Sequence, residues 1–187
     1  MQTFLNVLLV ILVIAVIALI FGIKDYYEQS KIKTVLSMTV VNSMANDTET
    51  PEQKIKETLG YKDDPYSKVE IGVNLTTDSE MAEFDYNAQM AYVAQIQAGS
   101  IDIMVMPEKL YQTLKKNEPF ADLKELMGEE AFEKFGMQTD TTHISITDSE
   151  LEQELGVIYD PVCIAVPYSA LNQENAVKWI KSLDSRK

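Results

Sequence analysis

Cysteine is almost missing from this chain of 187 residues, with Cys163 its single instance. One cysteine excludes an intramolecular disulfide framework and any cysteine-rich zinc site. Histidine is equally scarce, and His143 alone excludes two-histidine metal sites of the H-E-x-x-H kind. Basic residues are in deficit: 16 Lys+Arg stand against 29 Asp+Glu, for a formal net charge of −13. That balance argues against nucleic acid as a partner, because phosphate neutralisation needs a Lys/Arg surplus. Neither G-x-G-x-x-G nor G-x-x-x-x-G-K occurs, so no glycine-rich loop cradles a phosphate. There is no G-x-S-x-G elbow for a nucleophile and no D-x-D-x-D-G loop for calcium. No spacing implies an enzyme, a cofactor or a metal.

What is present begins with an apolar run. From Leu5 to Ile23 the chain carries no charge, and Asn6 is its one strongly polar residue. As a helix those residues span roughly 28 Å, close to a ~30 Å hydrocarbon core. A buried core helix of that length shows a polar stripe, and this run shows none. A cleaved secretory signal has a basic start and a small-residue cleavage site, both missing here. The run therefore predicts an uncleaved transmembrane signal-anchor over residues 1–23, a juxtamembrane linker over 24–33 and a single-pass membrane protein. Tyr26 and Tyr27 fall where an interfacial aromatic belt belongs. Lys24, Lys31 and Lys33 follow the run, and the positive-inside rule alone places the remainder in the cytoplasm.

Residues 34–187 read as alternating strands and helices. Thr34–Val41 is a β-rich first strand. Thr50-Pro51-Glu52-Gln53 combines an N-cap, a proline at the first helical position and a capping box, with Ile55 and Leu59 inward and Gly60 closing the helix. Val69, Ile71, Val73 and Leu75 alternate with polar or small residues, a strand period. Glu83–Ala98 is the next helix, with Tyr86, Met90, Val93 and Ala94 on one face. Ile101–Met106 is a short apolar strand, and Pro107-Glu108 opens a helix with Leu110 and Leu114 inward. Leu123–Phe135 supplies one or two short helices and His143–Thr147 a strand. Val157–Tyr159 and Val162–Val166, flanking Asp160-Pro161, form a tight hairpin or a bent strand. Asn172 caps a last helix that turns Ala176, Ile180 and Leu183 inward. This order predicts an α/β domain with a mostly parallel sheet flanked by helices.

Isolated features receive plain readings. His143, with no partner pattern, is a strand or loop residue rather than a base. Cys163, inside V-C-I-A-V, is a buried core thiol, and the methionines fill core. The acidic runs Glu125–Glu133 and Asp148–Glu154 are solvated helix faces. Asn46-Asp47-Thr48 and Asn74-Leu75-Thr76 match the glycosylation sequon.

Two stretches carry a resemblance. Asn87–Leu123 contains Ala98-Gly99 and Asp102 in an A-G-x-x-D turn, then the strand Ile103–Met106 and the closing Asp122-Leu123. Cys163–Leu183 contains I-A-V-P-Y-S-A-L-N-Q-E-N-A-V-K-W-I-K-S-L. Both resemble segments of the extracellular (periplasmic) solute-binding proteins of ABC importers. The resemblance implies a periplasmic-binding-protein-like domain, a small solute as ligand, an ABC transporter permease or another membrane protein as partner, and a C-terminal domain outside the cytoplasm at the cell membrane. That location opposes the lysine count after the apolar run. The family has two lobes with solute between them, whereas only about 40 residues separate Asp122 from Val162. The chain resembles one lobe.

In an open parallel sheet ligands sit beyond the carboxyl ends of the strands. The loops there place Asn42, Ser43, Thr76, Thr77, Asp78, Pro107 and Glu108 as candidate ligand-binding residues. Such side chains also cap turns, the plainer reading. Two functions follow: a non-enzymatic binding domain that takes a small solute or assists a transporter, or an extracytoplasmic protein-interaction or sensory domain with no small-molecule ligand.

Overall fold

The computed structural model describes the backbone of residues 2–136 and 138–183, and the side chains of 15–136, 138–148 and 150–183. Residues 1–33 and 34–187 form two compact units. The first is a helix, α1 (Gln2–Gln29). Among the described residues no helix is long and apolar enough to cross a membrane. This corrects the expectation of a transmembrane signal-anchor over 1–23 and of a membrane protein built on it. The part of α1 with described side chains, 15–29, spans only about 22 Å at 1.5 Å per residue and carries Lys24, Asp25 and Glu28. The Leu5–Ile14 stretch of the expected span lies outside the described side chains.

The second unit is layered around one sheet. Its elements are β1 (Lys33–Val40), α2 (Glu49–Thr58), β2 (Ser67–Gly72), α3 (Tyr86–Gln97), β3 (Ile103–Pro107), α4 (Glu108–Leu114), α5 (Leu123–Met127), α6 (Glu129–Glu133), β4 (His143–Ile146), α7 (Ser149–Leu155), β5 (Val162–Ala165) and α8 (Gln173–Leu183). The strand order is β2-β1-β3-β5-β4. β1 and β3 are parallel, but β5 is antiparallel to both β3 and β4. The sheet is therefore mixed, which corrects the expected mostly parallel one.

The reversal has a cause at the strand ends. After α7 the chain crosses the carboxyl ends of β1 and β3. The Ser43 hydroxyl donates to the Leu155 carbonyl at 2.6 Å, and the Met44 N–H to the Gly156 carbonyl at 2.8 Å. The Tyr159 hydroxyl reaches the carbonyls of Val41 (2.9 Å) and Val105 (3.2 Å). A strand that starts from that end runs against β3. Gly156 makes the crossing possible: its φ is +64°, and a Cβ there would lie 2.5 Å from the Ala45 nitrogen. Val157–Tyr159 thus forms a crossing segment and not the first arm of a hairpin.

The strand period of two sorts the core onto both faces of the sheet. Leu36, Met38, Val40, Ile103, Val105, Ile144, Val162 and Ile164 share one buried cluster with Ile55 and Leu59 of α2 and Trp179 and Ile180 of α8. Met104, Met106, Cys163 and Ala165 share the other with Ala88 and Tyr92 of α3 and Leu110 and Tyr111 of α4. The helix α3 is turned from its expected setting. Ala88 and Tyr92 are its buried residues, whereas Tyr86 and Met90 are exposed. Its start is set by Asp85, whose carboxylate accepts the Ala88 N–H at 2.9 Å. Likewise the expected capping box of α2 does not form: Asp47 accepts the Glu49 N–H at 2.8 Å, and Glu52 instead accepts the Ile71 N–H from β2 at 3.0 Å.

Candidate functional site

The strand-end loops hold most of the residues expected to bind a ligand, and they use those side chains on one another. Asn42, at φ 54°, donates to the Thr77 hydroxyl at 2.7 Å and accepts the Thr77 N–H at 2.9 Å. Ser43 is engaged with Leu155, as above. The Thr76 hydroxyl donates to the Asp85 carboxylate, and the Asp78 carboxylate accepts the Ala82 N–H at 3.0 Å. These contacts brace the β1, β2 and β5 approaches to one another. Pro107 ends β3 opposite Val162. Glu108, the first residue of α4, points elsewhere.

Glu108 meets two residues from distant parts of the chain. One ligand-type atom each from Glu108, His143 and Cys163 lies within 4.8 Å of the others. His143 begins β4 and Cys163 lies in β5; both are fully buried. His143 Nε2 is 3.4 Å from Glu108 Oε2. The ring stacks on Tyr111 with centroids 4.2 Å apart, and its Nδ1 lies 2.9 Å from Asp140 Oδ1. Asp140 is itself anchored by Lys115, by the Tyr111 hydroxyl at 3.1 Å and by the Thr142 N–H at 2.8 Å. Burial opposes its ionisation, but the Lys115 ammonium, the His143 ring and the Thr142 donors prevail and hold the carboxyl far below the usual carboxylate range. Burial, reinforced by the Glu108 charge and a hydrogen bond to Glu108 and then by the Asp140 charge, pushes the Cys163 thiol well up. Glu108 Oε1 accepts from Gln112 at 2.7 Å, but among the described residues the buried Oε2 has no hydrogen-bond partner of normal geometry.

A second feature lies between α3 and α4. A cleft of about 410 Å³ is lined by Phe84, Tyr86, Tyr92, Leu110 and Leu114, with Glu83, Gln89, Asn117 and Glu118 among its polar groups. Its lining contains no lysine, arginine or histidine. The Tyr92 side chain is 1% exposed, and its buried hydroxyl has no hydrogen-bond partner among the described residues. Burial first, and then the nearby Glu118 carboxylate, push the Tyr92 phenol up, so it stays neutral. Tyr92 and Glu118 also line a smaller hollow of about 100 Å³ with Phe120 and Tyr168.

Sequence reasoning found Glu108 but not its companions. The helical period around Tyr86 directed attention to the wrong face of α3 and so away from Tyr92. No family model, curated protein or solved structure matches the chain.

Proposed function

We propose that this chain is a non-enzymatic binding domain that takes a small organic cation in the α3–α4 cleft. One observation carries the reading: a cleft of about 410 Å³ lined by aromatic residues, one of which, Tyr92, has a buried hydroxyl with no hydrogen-bond partner among the described residues. Ligand cavities typically measure ~300–1,000 Å³ and combine apolar walls with a few convergent polar groups. A buried hydroxyl without a partner costs about 1–3 kcal/mol, which a solute reaching Tyr92 would recover. Glu83 and Glu118 favour positive charge, and the exposed ring of Tyr86 favours a cation further.

The resemblance to one lobe of the solute-binding proteins of ABC importers agrees with this reading, and delivery to a transporter permease is the role it implies. Its two segments touch in space, because Asp102 of the first accepts from Asn172 of the second. Exposed Met90, Tyr168 and Leu171 favour a second reading, a protein-interaction domain.

The test is a thermal-shift screen of the full chain against alkylamines, quaternary amines and polyamines, with sugars and carboxylic acids alongside. At a hundredfold excess over Kd, a bound solute adds about 2.7 kcal/mol of stability. The melting temperature rises with a cationic class, and the rise falls in Glu118→Gln and Tyr92→Phe. No rise with any cation, or a rise that both variants leave intact, rejects the cleft. Silence across every class favours the protein-interaction domain.

A further inference from the structure

We infer that Glu108, His143 and Cys163 form a binding site for one divalent transition metal of the zinc class, with a fourth coordination position left for an outside ligand. The inference is independent of the cleft reading and rests on different side chains.

The donor set comes first. A thiol, an imidazole and a carboxylate converge from β5, β4 and the start of α4. Zinc accepts sulfur, nitrogen and oxygen together, whereas magnesium and calcium select oxygen alone. The measured edge also fits. Bonds of ~2.0–2.1 Å at a tetrahedral angle place nitrogen and oxygen donors roughly 3.3–3.4 Å apart. His143 Nε2 and Glu108 Oε2 are 3.4 Å apart.

The contacts of His143 point the same way. Asp140, held by Lys115, Tyr111 and Thr142, lies 2.9 Å from His143 Nδ1. The other ring nitrogen, Nε2, faces Glu108 Oε2. Thr139 Oγ1 approaches Nε2 only at 3.4 Å, the long limit of a hydrogen bond. A cation between Nε2 and Oε2 takes both as ligands and satisfies the oxygen that has no hydrogen-bond partner among the described residues. It also resolves the charge: a thiolate, a carboxylate and a dication sum to zero, the cheapest state for a buried group of ions.

The supporting contacts are those a metal site needs. A carboxylate behind the histidine fixes its tautomer, and Gln112 orients the other oxygen of Glu108. With the metal bound, the start of α4 is joined to β4 and β5 at one point.

The test uses the full chain, stripped with a chelator and titrated with Co²⁺ and then Zn²⁺. Cobalt binds at one equivalent with a thiolate-to-metal charge-transfer band and intense visible bands of a four-coordinate ion, and zinc displaces it. Cys163→Ser removes the charge-transfer band. Glu108→Gln, at a partly exposed position, weakens binding by more than about tenfold. Asp140→Asn keeps the band and weakens binding by about 10–100-fold, as expected of a group acting through the histidine. The wild-type spectrum is decisive even where a core variant misfolds: cobalt bound without a charge-transfer band, or no cobalt bound, overturns the site. So does a Glu108→Gln protein of unchanged affinity.

Discussion

Replacing Asp102 with alanine is the sharpest probe of how the sheet holds its last helix. The Asp102 side chain is 1% exposed, and its two oxygens accept from three donors. These are the Ser37 N–H of β1 at 2.8 Å, the Asn172 N–H at 2.8 Å and the Asn172 side-chain amide at 2.9 Å. Its own N–H donates to the Ser37 carbonyl at 2.8 Å, so backbone and side chain grip β1 together. Alanine keeps the backbone bond and strands the donors. The Asn172 amide is free to turn to water. The two backbone N–H groups are half-buried, and each costs about 1–3 kcal/mol when left unpaired. The expected loss is therefore about 2–6 kcal/mol. Asp102→Asn keeps one acceptor oxygen but turns an amide toward donors, for roughly half that loss. Urea unfolding of the full chain measures both, as a fall in midpoint with an unchanged slope. Trp179, the single tryptophan and itself 1% exposed on α8, gives a second probe beside circular dichroism. If Asp102 anchors α8, tryptophan emission changes at or below the urea concentration at which the backbone signal is lost. An alanine variant that loses less than 1 kcal/mol refutes the reasoning.

Gly156→Ala should destabilise the domain far more than Gly136→Ala. Both glycines have positive φ, +64° and +82°, but a Cβ at 156 meets the Ala45 backbone nitrogen at 2.5 Å whereas one at 136 meets nothing within 4 Å among the described residues. Each pays the left-handed penalty of about 1–2 kcal/mol, and only 156 must also displace backbone; equal melting temperatures for the two variants would contradict this. Asp122 gives a pH prediction. The Glu125 N–H and then the Thr141 hydroxyl hold its carboxyl below the ordinary 3.8. A folded-state value below the unfolded one adds stability that is complete above that ordinary value and is lost as pH falls from there through the lower folded value. Melting temperatures of Asp122→Asn measured from neutral pH down to pH 2 should therefore fall less steeply below pH 4 than those of the wild type, and parallel acid limbs would sink the assignment.

Several elements could be read from local pattern because local physics decides them. The alternation through Val69 and Ile71 and the apolar run Ile103–Met106 announce β2 and β3, and Ala176, Ile180 and Leu183 announce the inner face of α8. Tertiary contacts overruled pattern elsewhere. Tyr86 and Met90 have the right spacing for a buried face, yet Ala88 and Tyr92 win because small Ala88 allows α3 to approach the sheet and Tyr92 fills the space beside Phe84 and Leu110. The capping box of α2 failed because Glu52 found a better partner in the Ile71 N–H, a residue on another strand. The expected parallel sheet failed for the same reason. Strand direction was decided by where the chain crosses Val41 and Val105, contacts between residues more than 50 positions apart.

That crossing also explains why the metal-ligand group escaped a search for motifs. Glu108, His143 and Cys163 stand 35 and 20 residues apart, spacings that belong to no local ligand pattern. Register brings them together. β5 lies between β3 and β4, with Val162 opposite Pro107 and Ala165 opposite His143. Cys163 pairs with Met106, two residues before Glu108, and lies two from the position beside His143, and alternation turns its sulfur to the face where α4 begins. A β5 running parallel to β3 would exchange those neighbours end for end and carry Cys163 away from the start of α4. A lone cysteine and a lone histidine were each sound grounds for expecting no metal. They became a donor pair only through a reversed strand, which owes its direction to Gly156 and Tyr159 at the crossing.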